Sequence, residues 1–122
     1  MMAATFRWKS TKTPKYHNRK VELDGHVFDS THERDRYVEL KLLQRGRQIY
    51  DLSLQVPFEL IPAQRGPDGK IIEHAVKYIA DFTYRDKTGK MIVEDAKGVR
   101  TDAYIIKRKL MLERFGTRIS EV

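Results

Sequence analysis

Hydrophobic and polar positions divide the chain into a polar, weakly periodic start and a patterned remainder. Val21-Glu22-Leu23 and His26-Val27-Phe28 flank Asp24-Gly25, the pattern of a small hairpin with a two-residue turn. From Ser30 the period lengthens to that of a helix. Ser30-Thr31-His32-Glu33 has capping-box spacing, a serine followed three residues later by a glutamate. Tyr37, Leu40 and Leu43 mark the expected buried face, and Gly46 the stop. Leu52 to Leu60 alternates in part around Pro57, which a strand tolerates at an edge or a bulge. Pro62 to Lys70 reads as a loop with a turn at Pro67-Asp68-Gly69. Ile71 to Tyr84 reads as one long strand, or as two broken near His74. Met91 to Lys97 is the next strand, Asp102 to Phe115 a helix ended by Gly116, and Arg118 to Val122 a short last strand. The order helix, three strands, helix, strand predicts a mixed α/β or α+β sandwich around a central sheet.

Two of these strands carry charge where an apolar pattern predicts none. Tyr78-Ile79-Ala80-Asp81-Phe82-Thr83-Tyr84 contains Asp81, and Met91-Ile92-Val93-Glu94-Asp95-Ala96-Lys97 contains Glu94, Asp95 and Lys97. Burying unpaired charge is costly. The turn Asp86-Lys87-Thr88-Gly89-Lys90 fits a three-residue hairpin loop with Gly89 in the left-handed conformation. If Asp86 and Lys90 close it, Asp81 falls opposite Asp95, with Cβ atoms about 4.5–5.5 Å apart. Carboxylates that close repel unless one is protonated or a cation lies between them. A magnesium or manganese ion suits such a pair, since hard divalent ions take oxygen ligands from one or two carboxylates. Strand alternation puts Val93, Asp95 and Lys97 on one face and Glu94 on the other, as an outward residue. A bulge would exchange Glu94 for Asp95 as the ligand. Lys97 can position or deprotonate a water, or stabilise charge on a phosphodiester in transit. The competing reading of the cluster is a structural group of ion pairs at a strand end.

Charge sharpens the picture. The 122 residues carry a net charge of +7. Residues 1–20 hold six basic side chains, Arg7, Lys9, Lys12, Lys15, Arg19 and Lys20, and no acidic one, whereas the rest hold 18 basic and 17 acidic. A basic N-terminal arm, residues 1–20, therefore precedes a single domain over residues 21–122. Such an arm suits a polyanion such as nucleic acid, or serves as a solvated tail. Phe6, Trp8 and Tyr16 interleave with it and could stack on unpaired bases or pack on a second subunit. Arg100, Lys107 and Arg108 put further positive charge after the acidic strand, either on a DNA backbone or on a solvated helix face. No run approaches a membrane span and no apolar leader opens the chain. With no cysteine, disulfides, thiolate zinc sites and cysteine catalysis are excluded, and an intracellular setting is expected. His17, His26, His32 and His74 show no metal-binding spacing, and no Gly-rich phosphate loop is present.

Asp81 with Asp95-Ala96-Lys97 resembles the PD-(D/E)XK nuclease superfamily, in which an aspartate on one strand precedes an acid-x-lysine on the next. Ala80 stands where the name-giving proline would be. The resemblance implies a restriction-endonuclease-like αβββαβ core, a magnesium or manganese cofactor, and metal ligation by Asp81 and Asp95. It also implies a contribution from a first-helix glutamate, for which Glu33 is the candidate alongside its capping role. More narrowly, Lys15-Tyr16-His17-Asn18-Arg19-Lys20, Phe28-Asp29-Ser30, Tyr78-Ile79-Ala80-Asp81-Phe82 and Val93-Glu94-Asp95-Ala96-Lys97-Gly98 resemble a phage and prophage family of small proteins, the domain of unknown function 1064. The likeness covers roughly residues 15–122. The motif order is also similar to phage and archaeal Holliday junction resolvases. These likenesses imply a metal-dependent endodeoxyribonuclease, homodimeric, acting on branched DNA in a phage or prophage host cytoplasm. A nicking, single-strand or mismatch nuclease on the same fold, or a non-catalytic nucleic-acid-binding module, are the alternatives.

Overall fold

The protein is described from a computed structural model, covering residues 19–96 and 99–122. The described residues divide into two compact units between Asp35 and Arg36.

In the first unit, β1 (Val21–Leu23) and β2 (His26–Phe28) form the antiparallel hairpin, Val21 pairing with Phe28. Asp24 and Gly25 both have positive φ, 54° and 79°, as a turn that matches strand twist requires. The helix α1 (Thr31–Arg45) starts here, capped as its sequence predicts. The amide of Glu33 donates to the Ser30 hydroxyl at 3.2 Å, and the Glu33 carboxylate accepts from the Asp29 amide at 3.2 Å.

The second unit carries the remainder of α1 and then β3 (Tyr50–Ile61), β4 (Gln64–Arg65), β5 (Ile71–Glu73), β6 (Val76–Arg85), β7 (Met91–Asp95), α2 (Asp102–Phe115) and β8 (Ser120–Glu121). Four strands form one mixed sheet in the order β3-β6-β7-β8; β3, β6 and β7 are antiparallel neighbours, and β7 and β8 run parallel. With its two helices this is the αβββαβ order of the restriction-endonuclease-like fold, an α+β architecture with a central mixed sheet. Pro57 lies on β3, an edge strand, the position in a sheet where proline is tolerated. The long apolar run does break near His74. Its first part, β5, pairs with Gln64–Arg65, which the sequence pattern placed in a loop.

The main core lies between the sheet and α2. Leu60, Tyr78, Ala80, Val93, Tyr104 and Met111 form its buried centre, with Phe58, Leu110 and Ile119 packed around it. α2 is punctuated as expected. The Thr101 hydroxyl accepts from the Tyr104 amide, and Gly116, at φ 65°, closes the helix by donating to Leu112. On α1, Tyr37 and Leu40 are buried, but Leu43 is 38% exposed. Tyr37 and Leu40 are three apart, while Leu43 falls near the helix end, where Gly46 turns the chain away. Among the described residues, no helix is long and apolar enough to cross a membrane.

Candidate functional site

β6 and β7 are joined by the turn that the sequence predicts. The Asp86 amide donates to the Lys90 carbonyl at 3.0 Å, the Gly89 amide returns to Asp86, and Gly89 has φ 87°. The register follows from this closure. Arg85 pairs with Met91, Tyr84 with Ile92, Thr83 with Val93 and Phe82 with Glu94, and the paired register ends one step short of Asp81 and Asp95. Both aspartates are buried, at 6% and 1% exposure.

The strand alternation changes phase at Asp81. Tyr78 and Ala80 share the α2-side core with Val93, yet the partner of Val93 is Thr83, an odd number of residues further on. Unbroken alternation would put them on opposite faces. On the neighbouring strand, Val56 pairs with Ala80 and Leu54 with Phe82, leaving Gln55 and Asp81 as the step between. Gln55 has φ 53°, a conformation unusual for a residue with a side chain. Irregularities of this kind re-aim side chains and concentrate at functional sites. Here the break brings Tyr78 to the same side as Asp95.

The hydrogen bonds of the pair follow from that geometry. The Tyr78 hydroxyl donates to Asp95 Oδ2 at 2.8 Å. The Ala96 amide donates to Asp81 Oδ2 at 2.8 Å, and the Gln55 side-chain amide reaches Asp81 Oδ1 at 3.4 Å. Burial raises the pKa of the Tyr78 phenol well above its usual range, and the charges of Asp95 and, less strongly, Asp81 raise it further. Both carboxylates thus act on one hydroxyl. The donors described are a phenol, a backbone amide and a side-chain amide, which orient the oxygens without cancelling their charge.

Glu94 differs from the outward residue expected from alternation. It does face away from Asp95, but it is only 1% exposed, because α1 supplies a partner on that face. Arg36 grips it with two nitrogens, Nε at 2.8 Å and Nη2 at 2.6 Å, and the Tyr84 hydroxyl donates a short bond to the same carboxylate. Burial and Glu94 hold the Tyr84 phenol up at about 12, and Glu94 raises the Arg36 pKa as well. The described ladder of β7 has no bulge, so Glu94 and Asp95 keep opposite faces.

The remaining candidates separate. Lys97 lies outside the described residues, as do Arg7, Lys9, Lys12 and Lys15, with Phe6, Trp8 and Tyr16. Arg19 and Lys20 are exposed. Glu33 is buried in the first unit and engaged in its cap. Lys107 is half-buried on α2. Arg100 and Arg108 converge on Glu121 of β8, at 2.5 Å and 3.2 Å, where the Tyr104 hydroxyl also donates at 2.7 Å. These bonds hold the Glu121 carboxyl down at about 2, Arg100 contributing most. Sequence reasoning missed Tyr78, Tyr84, Arg36 and Glu121. A tyrosine inside an acid-bearing strand was the available signal for the first two.

Among the described residues, no three acidic or histidine side chains gather into a metal cage. Asp81 and Asp95 form a two-carboxylate set, with oxygen donors only and no thiol in the chain. That chemistry fits a hard divalent ion completed by water and substrate, and does not fit a structural zinc.

Sheet order and site together define an α+β domain with two buried aspartates on adjacent central strands. The chain belongs to the family described as protein of unknown function (DUF1064), which matches residues 13–120. No curated protein and no solved structure matches it.

Proposed function

We propose that the chain is a PD-(D/E)XK-type, divalent-metal-dependent endodeoxyribonuclease, selective for branched DNA: a Holliday junction resolvase of a phage or prophage recombination system, working as a homodimer in the host cytoplasm. The observation that carries this reading is the burial of Asp81 and Asp95 on adjacent strands, with the Ala96 amide donating to Asp81 and the Tyr78 hydroxyl to Asp95. Two neighbouring buried carboxylates repel each other and gain nothing from burial by themselves. The same pair is useful where a cation and a phosphodiester complete it.

In this reading Asp81 and Asp95 hold a magnesium or manganese ion, which when bound supplies positive charge beside the scissile phosphate and eases deprotonation of the attacking water. The chain's own groups do the rest. Tyr78 fixes the carboxylate of Asp95, and the Ala96 amide fixes that of Asp81, so their oxygens are oriented before substrate arrives. Lys97, two residues beyond Asp95, orients the water or meets charge growing on the phosphate oxygens. Glu33 is the further carboxylate that the resemblance names. Resolution of a junction needs two symmetric cuts, hence two copies of the site.

The test pairs a four-way junction with a linear duplex of the same sequence, each incubated with magnesium. Paired nicks on the junction and little cutting of the duplex are expected. Equal cutting of both would make it a general nuclease, and binding without cleavage under magnesium or manganese would make it a binding module. D81N and D95N should each abolish cutting while junction binding in chelator persists.

A further inference from the structure

A second feature of the unit 36–122 lies between α2 and β8. A surface groove of about 460 Å³ is lined by Arg108, Lys109, Leu112, Arg118, Ile119 and Glu121. Its lining combines three cations, Arg108, Lys109 and Arg118, with two apolar side chains, Leu112 and Ile119. Lys109 and Arg118 are exposed, and among the described residues neither has an ion-pair partner. Arg108 does have one, Glu121, which also takes Arg100 and the Tyr104 hydroxyl. The groove's only acid is thus already neutralised by two arginines, and its outer cations are uncommitted.

We propose that this groove is a seat for a nucleic-acid backbone, with Lys109 and Arg118 as phosphate contacts and Glu121 as a counter-charge that restrains Arg100 and Arg108. The inference rests on the nuclease reading for its choice of polyanion, and adds a surface to it. Charge complementarity selects the occupant. Three cations lining an open groove match phosphates repeated along a strand, while the exposed Leu112 accepts the apolar face of a sugar. Phosphate arriving at the groove competes with Glu121 for Arg108. Removing the acid and removing the outer cations must therefore act in opposite directions.

The experiment measures duplex and junction binding by fluorescence anisotropy in chelator, between 50 and 200 mM salt, with cleavage recorded separately. Each lost phosphate contact lowers the salt slope by about 0.9, so K109A/R118A should lose roughly 12-fold less affinity than the parent across that salt range, and should bind more weakly at the low end. E121Q, whose amide oxygen still accepts from Tyr104, should bind more tightly. Two matched variants control for net charge: K87A/K90A in the β6–β7 turn and E113Q on α2. The proposal is overturned if K109A/R118A keeps the parent's slope, if K87A/K90A changes the slope as much, or if E121Q matches E113Q. Thermal melting of each variant shows that it is folded. A parent that binds with the predicted slope but never cuts would sink the nuclease reading and leave the groove standing; a parent that cuts while K109A/R118A binds normally would do the reverse.

Discussion

Glu94 and Asp95 are adjacent on β7, equally buried, and face different partners among the described residues. On one face, Glu94 meets the guanidinium of Arg36 and the phenol of Tyr84. On the other, Asp95 takes the phenol of Tyr78 beside a second carboxylate, Asp81. A guanidinium cancels a buried charge and leaves it structural. A neutral donor such as a phenol orients a carboxylate and does not itself cancel the charge. Two acids with the same burial are separated by the chemistry of their partners, and burial alone does not tell lock from site.

The strongest way to break this contrast is to neutralise each acid in turn. D95N should reduce metal-dependent cleavage by more than about 100-fold, beyond the losses usual for an outer-shell partner. Its urea midpoint should stay level or rise, because one of two buried carboxylates on adjacent strands is gone. R36M should do the converse. It strands Glu94, so it should cost about 3–5 kcal/mol of stability in the same urea titration. The contrast collapses if D95N unfolds as readily as R36M. A smaller effect should come from Y78F, which removes the hydroxyl from Asp95 and leaves the ring in the core. Manganese affinity by isothermal titration should fall by about 10–100-fold with the melting point nearly held. An unchanged affinity would mean that the phenol serves packing only.

Local chemistry made much of this legible in the sequence. Turn closure at Asp86 and Lys90 set the β6–β7 register as far as Phe82 and Glu94, because a hairpin's register is a counting problem. The bounds of α2 follow from Thr101 and Gly116, each bonding within four residues. Glu94 could not be read the same way. Its partner Arg36 is 58 residues distant, and no local rule predicts which helix residue will reach a given strand. The phase change at Asp81 was hidden for a related reason. It depends on Gln55 of β3 adopting φ 53°, a property of the paired strands rather than of the apolar pattern in either one.

A third carboxylate sharpens the comparison at its weakest point. Glu121 is bridged by Arg100 and Arg108 like Glu94, but near the surface, with Arg100 63% exposed. Its pKa falls from 4.5 to about 2, chiefly through Arg100. A folded pKa below the unfolded one stabilises the protein above the unfolded value. The contribution is whole above about pH 4.5, shrinks as pH falls through the window from about 4.5 to about 2, and is absent below it. The stability gap between the parent and E121Q should therefore close over that window, in urea titrations at stepped pH. Because the pair is largely solvated, the gap should be modest and should narrow further with added salt. A gap that ignored salt would place Glu121 with Glu94, among the sealed pairs, rather than at a surface that phosphate can reopen.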